Sequence, residues 1–194
     1  MEKTLYVTDG VPTNAKILLV DMQKFYFQDT DYVSNEVVAS NVDDRMNEME
    51  IELIELRKKG HKIYAIIDEN YGPIISELRG IPHMYLPFWG VSDGRLVTAT
   101  ENDPANMYEL EPKIIEAFDK DDVILVCGLW KELCAFAVTR LLQKEGFNAI
   151  LSTNPKLCLE NAIVWEDDDV ITLESECLAA GVTIQSIDVK GEEQ

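Results

Sequence analysis

The chain has 194 residues, 46% of them hydrophobic, which is enough for one substantial core and short for two domains. With 36 acidic residues against 17 basic, the net charge is −19, a field that repels phosphate backbones and anionic lipid and excludes nucleic acid and membrane surfaces as expected partners. Apolar runs such as KILLV and VILVCGLW fall far below the roughly 20 residues of a membrane span. The opening MEKTLYVTDG has no apolar signal region, so the expected location is cytoplasmic.

Repeats, Ser/Gly-rich linkers and low-complexity tracts are absent, and residues 1–194 read as a single domain with ragged ends. The four cysteines, Cys127, Cys134, Cys158 and Cys177, form no Cys-x-x-Cys pair and have no companion histidine cluster. That spacing argues against structural zinc and, in a cytoplasmic setting, against a disulfide framework.

In chain order, AKILLVDM (15–22) reads as a buried strand ending at Asp21. After an aromatic stretch, NVDDRMNEMEIELIELRKKG reads as a helix capped by Asn41. Its stripe is Val42, Met46, Met49, Leu53 and Leu56, and Gly60 stops it. HKIYAIID (61–68) is a second strand ending in an aspartate, and the Gly- and Pro-containing segment 70–95 reads mostly as loop. RLVTAT is a weak strand, EPKIIEAFDK (111–120) a short helix, DVILVCG a strand and KELCAFAVTRLLQKEG a helix with one apolar face. FNAILST is a strand, VITLESECLAAG (170–181) a helix and VTIQSID a closing strand.

This alternation predicts an α/β fold with three layers, α/β/α, around a mostly parallel sheet of about six strands. Right-handed crossovers bring the strands' carboxyl ends to one edge, where open α/β sheets bind ligands. Asp21, Asp68 and Gly128 all fall at such ends, although an aspartate after a strand is also ordinary turn chemistry. A flavodoxin-like nucleotide site fits the alternation, but VDMQKF and CGLWKE are too poor in glycine to cradle phosphates.

Taken together, LLVDMQ, ELRKKGHKIYAIID, GLWKELC with its cysteine six residues past the glycine, and LAAGVTIQSID resemble, in order, motifs of the isochorismatase-like cysteine hydrolases. The family includes nicotinamidases and other small-amide hydrolases, and the resemblance covers roughly residues 15–188. It implies a hydrolase cleaving a small amide or related C–N bond through a thioester, with Cys134 as nucleophile and Asp21 as acid/base. A cysteine in the first turn of a helix sees the positive dipole end and unpaired N–H groups, which favour the thiolate and stabilise an oxyanion.

The chain departs from the family pattern at three places. The family lysine is expected near TATENDPANM (98–107), which contains neither lysine nor arginine and offers Glu101 and Asp103 instead. Lys113 and Lys131 are the available replacements, and Lys131, three residues before Cys134, is the candidate taken, with a pocket-rim role without chemistry as the plainer reading. Where nicotinamidases hold a divalent ion with Asp-x-His and a later histidine, this chain has Asp68, Asn70 and His83, a poor zinc set, so neither metal nor other cofactor is expected. The segment from 154 to 169 is rewritten and ends in WEDDDV, an acidic run that disfavours anionic substrates if it borders the pocket.

Gln23, Phe27 and Trp130 are the expected substrate-binding residues, among aromatics (Phe25, Tyr26, Tyr85, Phe88, Trp89) that either wall a small pocket or pack a subunit contact. The resemblance further implies a small-molecule substrate and a homo-oligomer, dimer or tetramer. The alternative is a catalytically impaired relative acting as a small-ligand-binding or scaffold oligomer.

Overall fold

The computed structural model describes residues 3–23, 36–68, 71–87, 103–159 and 172–189, with backbone alone over 36–43 and at Met107. Its seven strands are β1 (Thr4–Thr8), β2 (Lys16–Val20), β3 (Ile63–Ile67), β4 (Met84–Pro87), β5 (Val123–Gly128), β6 (Asn148–Ser152) and β7 (Thr183–Ser186). They form one sheet in the order β4-β3-β2-β5-β6-β1-β7, and every pairing is parallel.

Consecutive strand residues point to opposite faces. In β2 and β5 every residue after the first is buried, so both faces of the sheet are covered. The helices are α1 (Glu36–Lys58), α2 (Pro104–Met107), α3 (Pro112–Glu116), α4 (Phe136–Lys144) and α5 (Leu173–Ala180). The expected three-layer α/β/α fold is therefore present, with seven strands rather than about six and with a wholly parallel sheet.

Two strands were missed. β1 comes from a stretch taken as a ragged end and slots between β6 and β7, its Leu5 and Val7 buried in the core. β4 lies in the stretch read as loop. It is a four-residue edge strand whose Met84 and Tyr85 are exposed, so it lacks a core strand's apolar run. RLVTAT, the weak strand, lies outside the described residues.

The first long helix also differs at its start. α1 begins at Glu36, so Asn41 lies inside it rather than capping it, because EVVAS contains no breaker to delay the helix. Its stripe of Met46, Met49, Leu53 and Leu56 is buried as expected. α5 is capped by Thr172 and Ser175 bonding each other's backbone N–H, and it ends at Gly181 in the left-handed conformation.

From β2 the chain winds outward through β3 and β4. It then returns to the other side of β2 as β5. The junction of β2 and β5 is thus the topological switch point, the position at which open α/β sheets form a crevice at their carboxyl ends.

Candidate active site

Two residues end the switch-point strands. Gly128 has φ +110°, and a Cβ there would meet the backbone of Val20, so only glycine lets β5 close on β2 at this height. Leu129 N–H donates to the Val20 carbonyl at 2.9 Å, and Gly128 exchanges backbone bonds with Leu157 and Leu159 on its other side. Asp21, immediately after β2, sits at φ +55°, a left-handed conformation that aspartate tolerates better than most residues. Strain of this kind concentrates at functional sites.

Cys134 lies in a π-type turn, Lys131–Ala135, that leads into α4. The Trp130 carbonyl accepts from both Leu133 N–H (3.0 Å) and Ala135 N–H (3.2 Å), which closes this turn after β5. A regular helix was expected from Lys131; π turns widen the helix and recur at functional sites. Cys134 is buried.

The structure brings Asp21 and Cys134 together from positions more than a hundred residues apart. Burial of the Asp21 carboxyl pushes its pKa up to about 7; the adjacent Cys134 thiol acts in the opposite direction, and the Asp68 carboxylate adds to the rise. A thiol is a weak donor, and neither Asp21 oxygen has a partner within ordinary hydrogen-bond geometry among the described residues.

Gln23 is fully buried, and its amide is engaged with backbone. Nε2 donates to the carbonyls of Asp68 (2.6 Å) and Gly72 (2.5 Å), and Oε1 accepts from Asp68 N–H (2.8 Å). Expected as a substrate contact, it is placed as a clamp between the segments that follow β2 and β3. Trp130 is buried with its indole N–H unpartnered among the described residues. Phe27 lies outside the described residues.

Lys131 is partly buried, with its Nζ 3.8 Å from Glu132 Oε1. Both charges act on the Cys158 thiol, Glu132 raising its pKa and Lys131 lowering it, against a larger upward push from burial. In the stretch where the lysine was sought, Asp103 is buried and caps α2 through Ala105 N–H. It also takes a bidentate pair from Arg140 at 3.2 and 2.7 Å, so its charge serves the packing of α2 on α4.

The candidate metal donors do not converge. Asp68 follows the carboxyl end of β3, whereas His83 precedes β4 beside Ile63 at the opposite end, where its Nδ1 accepts from Ile63 N–H at 3.1 Å. The two stand a strand's length apart and cannot share an ion, and Asn70 lies outside the described residues.

The other thiols are quiet. Burial pushes Cys127 and Cys177 up to about 12 and Cys158 well above its ordinary value.

Among solved structures, an isochorismatase from Pseudomonas putida KT2440 matches with a TM-score of 0.53 and 14% identity, over 92% of each chain. A second, an isochorismatase family protein, matches with a TM-score of 0.53 and 13% identity, over 91% of this chain and 100% of its own. The chain has the isochorismatase-like fold. No protein-family model matches the sequence, and no curated protein does. At these identities the likeness is one of architecture alone. Among the described residues no helix is long and apolar enough to cross a membrane.

Proposed function

We propose that this chain is a cysteine hydrolase of the isochorismatase-like type, cleaving a small amide or related C–N bond. The observation that carries the reading is the Asp21 carboxyl standing against the Cys134 thiol at the β2–β5 switch point. An acid with a pKa near 7 is matched to proton transfer at neutral pH.

In the proposed reaction the Asp21 carboxylate takes the Cys134 proton as the sulfur attacks the substrate carbonyl carbon. The carbonyl π electrons move to oxygen, whose proposed donors are backbone N–H groups of the Cys134 turn other than those of Lys131, Leu133 and Ala135, which bond backbone carbonyls. Collapse breaks the C–N bond, and the leaving nitrogen takes the proton from Asp21, leaving a thioester on Cys134. Asp21 then removes a proton from water as its oxygen attacks the thioester; the carboxylic acid departs and the sulfur regains its proton. This sequence uses no metal or cofactor.

Lys131 is the proposed cation for the site, replacing the lysine missing from 98–107; a Lys131→Ala variant with unchanged thiol reactivity removes it from the mechanism. The reading carries with it a small uncharged or cationic substrate, a cytoplasmic location and a homo-oligomeric state, dimer or tetramer, which light scattering of the purified chain tests.

The decisive experiment is ammonia or amine release from nicotinamide, simple carboxamides and ureas. Release by the parent and none by Cys134→Ala supports hydrolysis. No release from any, with sluggish alkylation at all four cysteines, sinks it. That outcome would favour a small-ligand binder or scaffold, a reading supported by Asp103, whose charge is taken up by Arg140 in the stretch where the resemblance expects the lysine.

A further inference from the structure

Asp21 is a single residue strung between two anchors. On one side stands Val20, the last residue of β2. Its carbonyl accepts the Leu129 N–H at 2.9 Å, from the stretch that runs on into the Cys134 turn. On the other side, residues 22 and 23 are fastened to the segment after β3. The Met22 carbonyl accepts the Ile75 N–H at 3.1 Å, and Gln23 pairs with Ile74 in an isolated antiparallel bridge. The Gln23 N–H turns back to the Asp21 carbonyl at 2.8 Å, closing a three-residue turn.

The Gln23 side chain fastens that turn to its surroundings. It is fully buried, its Nε2 donates to the carbonyls of Asp68 and Gly72, and its Oε1 accepts the Asp68 N–H. Both amide hydrogens are thereby committed to backbone, and neither is left for a substrate. What the amide holds is a conformation that aspartate does not keep unaided. At φ +55° Asp21 lies in the left-handed region, which is costly for a residue with a Cβ. Freed of Gln23, the turn has a cheaper course through negative φ. With β2 fixed, a change of sign at φ re-aims the Asp21 Cβ and carries its carboxyl away from the adjacent Cys134 thiol.

We propose that Gln23 is a positioning residue for Asp21: its amide holds the 21–23 turn so that the carboxyl faces the Cys134 thiol. The proposal rests on the reading of Asp21 and Cys134 as a catalytic pair, but its first readout needs no turnover.

The test compares the full parent chain with Gln23→Met, which keeps the side chain's length and lacks its amide. The readout is the Asp21 carboxyl ¹³C resonance followed through pH, assigned by its loss in Asp21→Asn. The groups acting on this carboxyl are the Cys134 thiol and the Asp68 carboxylate, and the variant alters neither residue. The parent midpoint is expected at about 7. In Gln23→Met, with the carboxyl turned toward water, it is expected to fall toward the 3.8 of an ordinary aspartate. A side chain that only stabilises the fold would lower the melting temperature and leave that midpoint in place, which overturns the proposal.

Alkylation of Cys134 gives a second readout. Iodoacetamide should react more slowly in Gln23→Met than in the parent. The double variant Gln23→Met/Asp21→Asn should be no slower than Asp21→Asn alone, because a positioning residue acts through the residue it positions. Additive slowing overturns the proposal. If Gln23→Met does not fold, Gln23→Asn, which keeps an amide but falls a methylene short of the 68–72 carbonyls, carries the same comparison.

Amine release separates the two readings. A folded Gln23→Met with the parent's midpoint, in a chain that releases amine, overturns this inference and leaves the hydrolase standing. A midpoint that falls, in a chain whose parent releases none, does the reverse.

Discussion

A methyl group built on Gly128 would sit 2.3 Å from the carbonyl oxygen of Val20 and 2.7 Å from its nitrogen. Both are main-chain atoms of the neighbouring strand and cannot swing away as a side chain would. Gly128→Ala must therefore prise β5 from β2 and also hold an alanine at φ +110°. The expected cost is about 3 kcal/mol or more, read as a lowered midpoint in thermal unfolding. A variant that melts with the parent would show that the strand ends are not so closely joined.

Cysteine chemistry gives the second prediction. Iodoacetamide should modify Cys134 before Cys127, Cys158 and Cys177, since Cys134 has the Asp21 carboxyl beside it as proton acceptor whereas burial raises the other three thiols. Peptide mapping of a partly alkylated sample reads the order. Asp21→Asn should slow the Cys134 reaction by about ten- to a thousandfold near neutral pH, because the proton acceptor is gone. Equal rates in parent and variant would remove Asp21 from the mechanism.

Asp21 also predicts a pH dependence of stability. Its folded pKa of about 7 lies above the 3.8 of an ordinary aspartate carboxyl. Between those values the folded chain keeps a proton that the unfolded chain has released, so stability falls as pH rises through the window and levels off above it. The full span is about 4 kcal/mol. Denaturant unfolding of the parent and of Asp21→Asn at about pH 4 and about pH 8 should show the loss in the parent, with the variant's curve flatter by most of that amount. Parallel curves would mean that Asp21 ionises in the folded chain as readily as in the unfolded one.

Replacing Gln23 by leucine keeps the bulk but removes the partner of the Asp68 N–H and of the Gly72 carbonyl, while the Asp68 carbonyl keeps the Tyr71 N–H. A loss of about 2–4 kcal/mol follows from orphaning buried donors and acceptors. Hydrogen exchange should report it locally, with faster exchange of the Asp68 amide than of the β5 amides. Uniformly faster exchange would assign Gln23 a global role instead of a clamp.

How far the sequence could be read depended on where each signal resides. The strands of the sheet centre announced themselves, because KILLV and VILVCG are apolar on both faces and end in Asp21 and Gly128. β4 did not, since an edge strand such as MYLP keeps half its surface in solvent and needs no apolar run. The pairing of Asp21 with Cys134 is implied by the family resemblance, and topology supplies its physical reason: adjacent strand ends meet whatever their separation in sequence. The engagement of Gln23 was not legible, because its partners are carbonyls 45 and 49 residues away, which no local pattern encodes. Asp103 is plain in the sequence as an acidic residue, but its engagement by Arg140 depends on how α2 packs against α4.

Arg140 has a third attachment besides Asp103 and Gln143: it donates to the carbonyl of Thr4 at 3.0 Å. β1 is thereby bolted to the same helix that runs out of the Cys134 turn. Any tag, protease cut or crosslink that tugs on the first strand will pull on α4 along its length, and a probe at Thr4 becomes a handle on the cysteine from the far side of the molecule.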